Sequence, residues 1–166
     1  MTVLTLDLSS TCIGWAIGTY SDNLKLTDVE FGEERRPSSR NTEEKKLEWA
    51  HRVCMALVKS SGSKDVVIEE SNVFLNAKTT RLLLGIRGVV LLGMFKAKAR
   101  ITLLSASPSR RKVGIDTGIP KSFGGKAKRR SEIKKRVIKW CHDKKHKVKT
   151  DDAGDAVVLL YAHEVK

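Results

Sequence analysis

The chain of 166 residues has few cysteines, few aromatic residues and no long apolar run. Its three cysteines, Cys12, Cys54 and Cys141, lie far apart and match no zinc-binding or CxxC spacing, so we expect reduced thiols. The most apolar stretch, Leu82 to Phe95, is too short to cross a bilayer and contains Arg87. No basic segment followed by an apolar one opens the chain, as a secretory signal would. These absences predict a soluble cytoplasmic protein with no membrane partner.

Acidic residues are also scarce, with 19 Asp and Glu against 32 Lys and Arg. The net charge of +13 favours an anionic partner, and nucleic acid is the leading candidate. Most of the excess lies between Lys121 and Lys149, where thirteen basic residues stand against Glu132 and Asp143. The length and a hydrophobic content of 40% predict a single domain, residues 1–166, with a core of its own.

Among the few acidic residues, Asp7 has the most unusual setting. It lies within the apolar run Val3 to Leu8, which is typical of a strand buried on both faces. A lone buried carboxylate is costly unless it is paired, protonated or bound to a metal. Small hydroxyl residues and then Gly14 to Gly18 follow, so we expect a tight connection into a second strand.

Hydrophobic periodicity predicts that the rest of the chain alternates between strands and helices in the order βββαβαβα, with two further helices between the last strand and the closing helix. Further strands are predicted at Leu24 to Phe31, Asp65 to Glu70 and Ile101 to Ala106. Helices are predicted from about Asn41 to Ser60, Leu75 to Lys98, Ser107 to Val113, Ala127 to His142 and Thr150 to Val165. Gly32 to Arg40 and Asp116 to Gly125 are interpreted as loops.

Acidic residues from three of these elements are predicted to meet. Asp7 lies in the first strand, Glu69 or Glu70 ends the fourth, and Asp152 and Asp155 share one face of the last helix. At about 4 Å, each pair of such charges repels by roughly 1–4 kcal/mol, which a divalent cation would cancel. An all-oxygen ligand set suits Mg²⁺ or Mn²⁺, and two such ions can hydrolyse a phosphodiester.

Each acidic group also has a plainer interpretation when taken alone. Asp151, Asp152 and Asp155 suit a helix cap and first-turn acids that complement the helix dipole. Glu69 and Glu70 suit a solvated strand end. The order of the elements and the setting of Asp7 favour the joint site.

The element order and three motifs resemble the RuvC family of Holliday junction resolvases, within the ribonuclease H-like superfamily. The motifs are LDLSSTCIGWA in the first strand, VVIEESNVF at the second acid and DDAGDAVVLLYAH in the closing helix. The resemblance implies an α/β ribonuclease H-like fold with a five-stranded mixed sheet flanked by helices. It also implies a homodimer, which we assign to the Arg81 to Phe95 helix, and Mg²⁺-dependent symmetrical nicking of four-way DNA junctions.

Carried over by position, Asp7, Glu69, Asp152 and Asp155 match the four metal-binding carboxylates of the family. In this hypothesis Asp7 bridges two Mg²⁺ ions, with Mn²⁺ as a substitute, Glu69 and Asp152 complete one ligand shell each, and Asp155 positions metal or water. Glu69 is preferred over Glu70 because it directly follows the β-branched run, as the family's glutamate does. Strand parity leaves the choice open at this stage.

The basic residues are interpreted as phosphate contacts that add affinity with little sequence discrimination. The predicted DNA-binding set is Phe74, Lys78, Arg110, Arg111, Lys112, Lys121, Lys126, Lys128, Arg129, Arg130 and Lys135. Phe74 is a candidate base-stacking wedge, although packing at a helix entrance is an equal alternative. The loop from Asp116 to Lys128 is longer and more basic than the family pattern, so we expect a different substrate preference. The compact chain looks similar to phage-encoded members, which implies a bacterial or phage-infected cytoplasm.

Two other functions stay open on the sequence. One is a related nuclease on the same scaffold that cleaves RNA or an RNA/DNA hybrid. The other is a non-catalytic protein that covers branched or double-stranded DNA with its basic face, and the setting of Asp7 counts against it. An actin-like phosphotransferase also begins with an Asp-bearing strand, but 166 residues are too few for its second lobe.

Overall fold

The computed structural model of the protein describes residues 1–70 and 76–163. Its strands are β1 (Thr2–Leu8), β2 (Cys12–Tyr20), β3 (Leu26–Arg35), β4 (Asp65–Glu70) and β5 (Arg100–Ser105). Its α-helices are α1 (Glu43–Ser61), α2 (Ala77–Lys96), α3 (Ala106–Lys112), α4 (Lys126–Asp143) and α5 (Asp151–Ala162). The strands form one mixed sheet in the order β3-β2-β1-β4-β5, antiparallel from β3 to β1 and parallel from β1 to β5. The predicted fold class is confirmed.

Both faces of the sheet are covered by helices. Leu4, Leu6 and Ile68 belong to a buried cluster with α1 and α2, whereas Val3 and Val67 belong to a second buried cluster with α5. Successive residues of a strand point to opposite faces. This division therefore assigns each side chain of β1 and β4 either to the layer with α1 and α2 or to the layer with α5. Helix α4 lies outside α5 and contacts it.

Three contacts hold the beginning of α5 against the sheet. The Thr150 hydroxyl caps the helix by accepting a hydrogen bond from the Ala153 amide, and it donates to the Glu33 carboxylate of β3. The buried Thr5 hydroxyl donates to the Ala156 carbonyl at 2.7 Å. At Gly14, an added Cβ would lie 2.0 Å from the Asp152 carbonyl oxygen, so the first turn of α5 rests directly on the β2 backbone. The position of α5 therefore depends on the absence of a side chain at Gly14 and on the hydroxyl groups of Thr5 and Thr150.

Several predicted boundaries were wrong by a few residues. Strand β3 continues to Arg35, because residues 32–35, which were predicted to form a loop, pair with β2 in the register Trp15↔Gly32 to Cys12↔Arg35. Ala106 begins α3 instead of ending β5, and Lys121–Phe123 form a short 3₁₀ turn inside the predicted loop. The alternation that marks a half-buried strand is masked in residues 32–35 by a glycine and three charged residues.

The four other helices, α1, α2, α4 and α5, begin and end within about three residues of their predicted limits. Helix α2 is capped by Asn76, whose side-chain oxygen accepts from the Thr79 amide at 2.8 Å. The structure does not describe three residues named in the predictions: the helix ends Leu75 and Val165 and the candidate DNA contact Phe74 lie outside the described residues. All three cysteines are free and buried, as expected. Among the described helices, none combines the length and hydropathy of a membrane span.

Candidate metal centre

Three of the predicted carboxylates meet at the carboxyl end of β1 and β4. Leu6 is paired with Ile68 in the parallel register, so the next residues, Asp7 and Glu69, lie side by side. Asp155 reaches the same point from the second turn of α5. One oxygen from each of the three carboxylates lies within 4.8 Å of the other two. We call Asp7, Glu69 and Asp155 the acidic cluster.

The structure separates Glu69 from Glu70. Glu69 lies on the α5 face of β4 with Asp7, and Glu70 lies on the opposite face. There the Glu70 carboxylate accepts a hydrogen bond from the Ser105 hydroxyl at 3.2 Å and lies 3.9 Å from the Arg87 guanidinium. Of the two candidate glutamates, Glu69 is the one in the acidic cluster.

Burial and repulsion from other carboxylates raise the pKa of every carboxyl group in the acidic cluster. Burial is the largest cause in each case. For Asp7, whose pKa is raised well above its usual value, the charge of Glu69 is the next cause. The pKa of Glu69 is raised to about 7, with the charge of Asp155 as the next cause after burial. The cluster therefore holds more negative charge than its protein surroundings stabilise.

Asp152 lies one turn of α5 before Asp155 and has different neighbours. Its carboxylate, the Cys12 thiol and the Glu33 carboxylate offer atoms within 4.8 Å of one another. Its charge still raises the pKa of Asp7, so Asp152 is electrically part of the site. Its role as a metal ligand stays a prediction. Sequence reasoning missed Glu33, because β3 was predicted to end at Phe31.

Arg110, predicted to contact DNA, reaches the acidic cluster in this structure. It donates from Nε to one Asp155 oxygen at 2.9 Å and from Nη2 to the other at 2.7 Å. Hydrogen bonding and charge from Arg110 lower the pKa of Asp155, opposing the effect of burial. The sequence does not show in which direction the last turn of α3 points, so the contact between Arg110 and Asp155 could not be predicted from it.

The other described members of the predicted DNA-binding set lie on α2, α3, the 3₁₀ turn Lys121–Phe123 and α4. Most of their side chains are exposed; these are Lys78, Arg111, Lys112, Lys121, Lys126, Lys128, Arg130 and Lys135. Arg129 is partly buried, and its guanidinium donates to the Gly124 carbonyl at 2.9 Å. Arg130 is close enough to the acidic cluster to lower the pKa of Glu69. Basic residues of α3 and α4 thus lie beside the carboxylates.

The acidic cluster fits a hard divalent cation. Its donors are carboxylate oxygens from three elements, and their spacing lets one ion contact all three. A cation there would also relieve the repulsion that raises their pKa values. The donor type suits Mg²⁺ and Mn²⁺ alike.

The raised pKa of Glu69 predicts a pH-dependent stability for the metal-free protein. A carboxyl group with a higher pKa folded than unfolded binds more protons in the folded state, so stability falls as pH rises from about 4.5 to about 7. The slope of the free energy of unfolding against pH should reach at most about 1.4 kcal/mol per pH unit from this one group. Urea unfolding in EDTA measures it, with Glu69→Gln as the control that removes this contribution. Equal slopes for the two proteins would contradict the prediction.

The two glutamates provide a matched pair of variants. Glu69→Gln should weaken Mn²⁺ binding at least about tenfold, because it removes one of three charged ligands. Glu70→Gln should bind Mn²⁺ as the unaltered protein does, because its carboxylate faces the other side of the sheet. Calorimetric titration with Mn²⁺ measures both affinities. A larger loss from Glu70→Gln would show that the wrong face has been assigned.

No protein-family model and no curated protein sequence matches the chain, and its similarity to known proteins is one of structure. Thermus thermophilus RuvC, solved in complex with a Holliday junction substrate, superposes with a TM-score of 0.69 and 14% identity over 98% of this chain and 92% of that chain. The yeast mitochondrial Holliday junction resolvase gives a TM-score of 0.62 and 10% identity over 96% and 77%. Fowlpox virus resolvase, solved with Holliday junction DNA, gives 0.50 and 16% identity over 98% and 97%. The chain therefore has the RuvC-type ribonuclease H-like fold that its motifs predicted.

Proposed function

We propose that the protein is a divalent-metal-dependent endonuclease that nicks four-way and other branched DNA junctions. The observation that carries the proposal is the acidic cluster, at the end of two parallel strands of a RuvC-type fold. Solved neighbours with this fold were captured with Holliday junctions, which supports branched DNA as the substrate. The sequence motifs and the basic residues beside the cluster support the same substrate.

In this proposal the carboxylates hold metal and the basic residues hold phosphate. A bound Mg²⁺ or Mn²⁺ would activate a water and stabilise the charge of the leaving oxygen. Asp7, between Glu69 and the first turns of α5, takes the central position, and Asp155 and Asp152 approach from the helix. Arg130 and its exposed neighbours draw the DNA backbone to the cluster. Because these contacts read charge, recognition would depend on junction shape more than on sequence.

Paired nicking of two strands needs two active sites, and α2 offers a surface for a second copy of the chain. Leu84, Leu92 and Phe95 are exposed by 56%, 55% and 76%, and they recur at helical spacing along one face. Gly88 lies between them, and an added Cβ there would meet no described atom within 4 Å. This apolar face lies within the Arg81 to Phe95 helix that we assign to dimerisation.

A charged substitution on this face should separate the dimer. Leu92→Glu places a carboxylate in the proposed apolar contact, so we expect the dimer dissociation constant to rise at least about a hundredfold. Sedimentation equilibrium measures it, with Leu24→Glu, at a similarly exposed leucine in the turn before β3, as the control. The variant should also lose paired nicking and keep Mn²⁺ affinity. A wild-type monomer, or a dimeric Leu92→Glu, would contradict the assignment.

The nuclease proposal is tested with end-labelled four-way, forked and linear DNA and an RNA/DNA hybrid, each with and without Mg²⁺. We expect Mg²⁺-dependent nicks at matching positions in opposite strands of the four-way junction. Mapping the nicks reports activity and symmetry together. Preferred cleavage of the hybrid would assign the site to a ribonuclease, and salt-sensitive binding without any product would make the protein a binding module.

A further inference from the structure

Arg110 and Asp155 form a two-pronged ion pair at the edge of the acidic cluster. The two hydrogen bonds, at 2.9 and 2.7 Å, occupy both oxygens of Asp155. The side chains are exposed by 18% for Arg110 and 9% for Asp155, so the pair is largely shielded from water. Parallel N–H···O bonds of this kind are among the strongest that a carboxylate forms.

The same guanidinium offsets the charge of the whole acidic cluster. It lowers the pKa of Asp7 and of Glu69 as well as that of Asp155. In the protein alone, Arg110 therefore neutralises part of the negative charge that a divalent cation would neutralise. It is a cation supplied by the chain itself.

A metal ion and Arg110 would compete for Asp155. Both carboxylate oxygens already accept hydrogen bonds from the guanidinium, and two cations on one carboxylate repel each other. Asp155 becomes a better metal ligand once Arg110 has moved away. Arg110 is still partly exposed, and the next residues of α3, Arg111 and Lys112, are exposed. Arg110 is therefore within reach of DNA.

A DNA phosphate offers Arg110 an equivalent partner. Phosphate oxygens accept the same two-pronged hydrogen bonds from guanidinium as carboxylate oxygens do. A backbone phosphate that arrives at the acidic cluster would therefore exchange with Asp155 at little cost to Arg110. The exchange would free Asp155 at the moment when substrate is in place.

We propose that Arg110 is an exchangeable internal cation that occupies Asp155 in the free protein and passes to a DNA phosphate, which releases Asp155 to the metal. This inference rests on the proposed function and deepens it, because it couples metal binding to substrate binding. Arg110 then acts as a positioning residue for Asp155. Metal affinity is low without DNA and rises when DNA is bound.

The test measures Mn²⁺ binding by the electron paramagnetic resonance signal of free Mn²⁺, with and without DNA. The DNA is a four-way junction whose central linkages are methylene phosphonates, which keep their charge and resist hydrolysis. Mn²⁺ affinity of the unaltered protein should rise on adding this junction. Arg110→Gln should bind Mn²⁺ at least about tenfold more tightly without DNA, and the junction should add little further.

Arg100→Gln is the matched control. Arg100 also forms a two-pronged pair, with both of its hydrogen bonds to Asp65 at 2.6 Å, but the pair lies at the start of β4 and β5 and Arg100 is 74% exposed. Arg100→Gln should leave Mn²⁺ affinity unchanged. Because the DNA-free measurement needs no cleavage, it tests Arg110 even where the nicking assay fails.

Equal or weaker DNA-free Mn²⁺ binding by Arg110→Gln would overturn the proposal, since Arg110 would then only support the fold of Asp155. Arg110→Lys keeps the charge but lacks the planar fork that pairs two N–H groups with the two Asp155 oxygens, so its DNA-free affinity should lie between those of the other two proteins. If Arg110→Gln fails to fold, Arg110→Lys decides: affinity no higher than that of the unaltered protein also overturns the proposal.

Discussion

Asp7→Asn should abolish metal-dependent nicking and leave junction binding intact or tighter. Asp7 shares the acidic cluster with Glu69 and Asp155, and because the charges of Glu69, Asp155 and Asp152 all raise its pKa, we assign it the central ligand position. Loss of metal stabilisation of the transition state amounts to several kcal/mol, so we expect a fall in rate of at least about a thousandfold. Binding should not weaken, because the change removes a negative charge near the DNA backbone.

The same substitution should stabilise the metal-free protein. Burial and the nearby Glu69 and Asp155 charges raise the pKa of Asp7 well above its usual value, so its ionised form opposes folding at neutral pH. In EDTA, Asp7→Asn should therefore melt at a higher temperature, and Mg²⁺ should no longer add stability. This gain separates a lost ligand from a damaged fold.

Rates from labelled junctions, gel-shift affinities in EDTA and melting temperatures check these outcomes together. Asp28→Asn, at an exposed aspartate of β3, is the control and should leave all three unchanged. An Asp7→Asn protein that nicks at the normal rate would remove the acidic cluster from the mechanism. Loss of binding along with nicking would point to a structural defect instead.

The main elements of the site could be predicted because strongly periodic segments carry them. The apolar run around Asp7 and the β-branched run before Glu69 identify two buried strands, and the apolar periodicity of α5 predicts the last helix. Strand parity alone could not decide which glutamate faces the cluster, because it assigns opposite faces to Glu69 and Glu70 without saying which layer contains α5, and the preference for Glu69 rested on the family resemblance. The shared register of Leu6 and Ile68 supplies that information.

Two features of the site depend on contacts between distant segments and leave no local pattern. Glu33 lies beside Asp152 because β3 extends through Gly32, where the Trp15 ring lies so close that an added Cβ would come within 2.6 Å of it. Arg110 belongs to a run of three basic residues that is typical of a DNA-binding surface, yet the first of them turns inward to Asp155. Composition predicts the charge of such a run and not its partners.

Gly14 shows how far the site depends on backbone packing, and Gly14→Ala should disrupt it. Gly14 is paired with Asp7 across the hairpin, and a methyl group there would lie 2.0 Å from the Asp152 carbonyl oxygen and 2.3 Å from its carbonyl carbon. Both are backbone atoms, so the first turn of α5 must move. We expect a loss of about 1–3 kcal/mol in the free energy of unfolding, as for other overpacked cores.

The same displacement should weaken Mn²⁺ binding, because α5 supplies Asp155 to the acidic cluster and Asp152 beside it. Urea unfolding and Mn²⁺ calorimetry measure the two effects. Gly88→Ala, in the middle of α2 where an added Cβ meets no described atom of its own chain within 4 Å, is the control and should keep Mn²⁺ affinity. If Gly14→Ala keeps normal stability and normal metal affinity, α5 does not rest on β2 as described, and the distance between Asp7 and Asp155 must be set by other contacts.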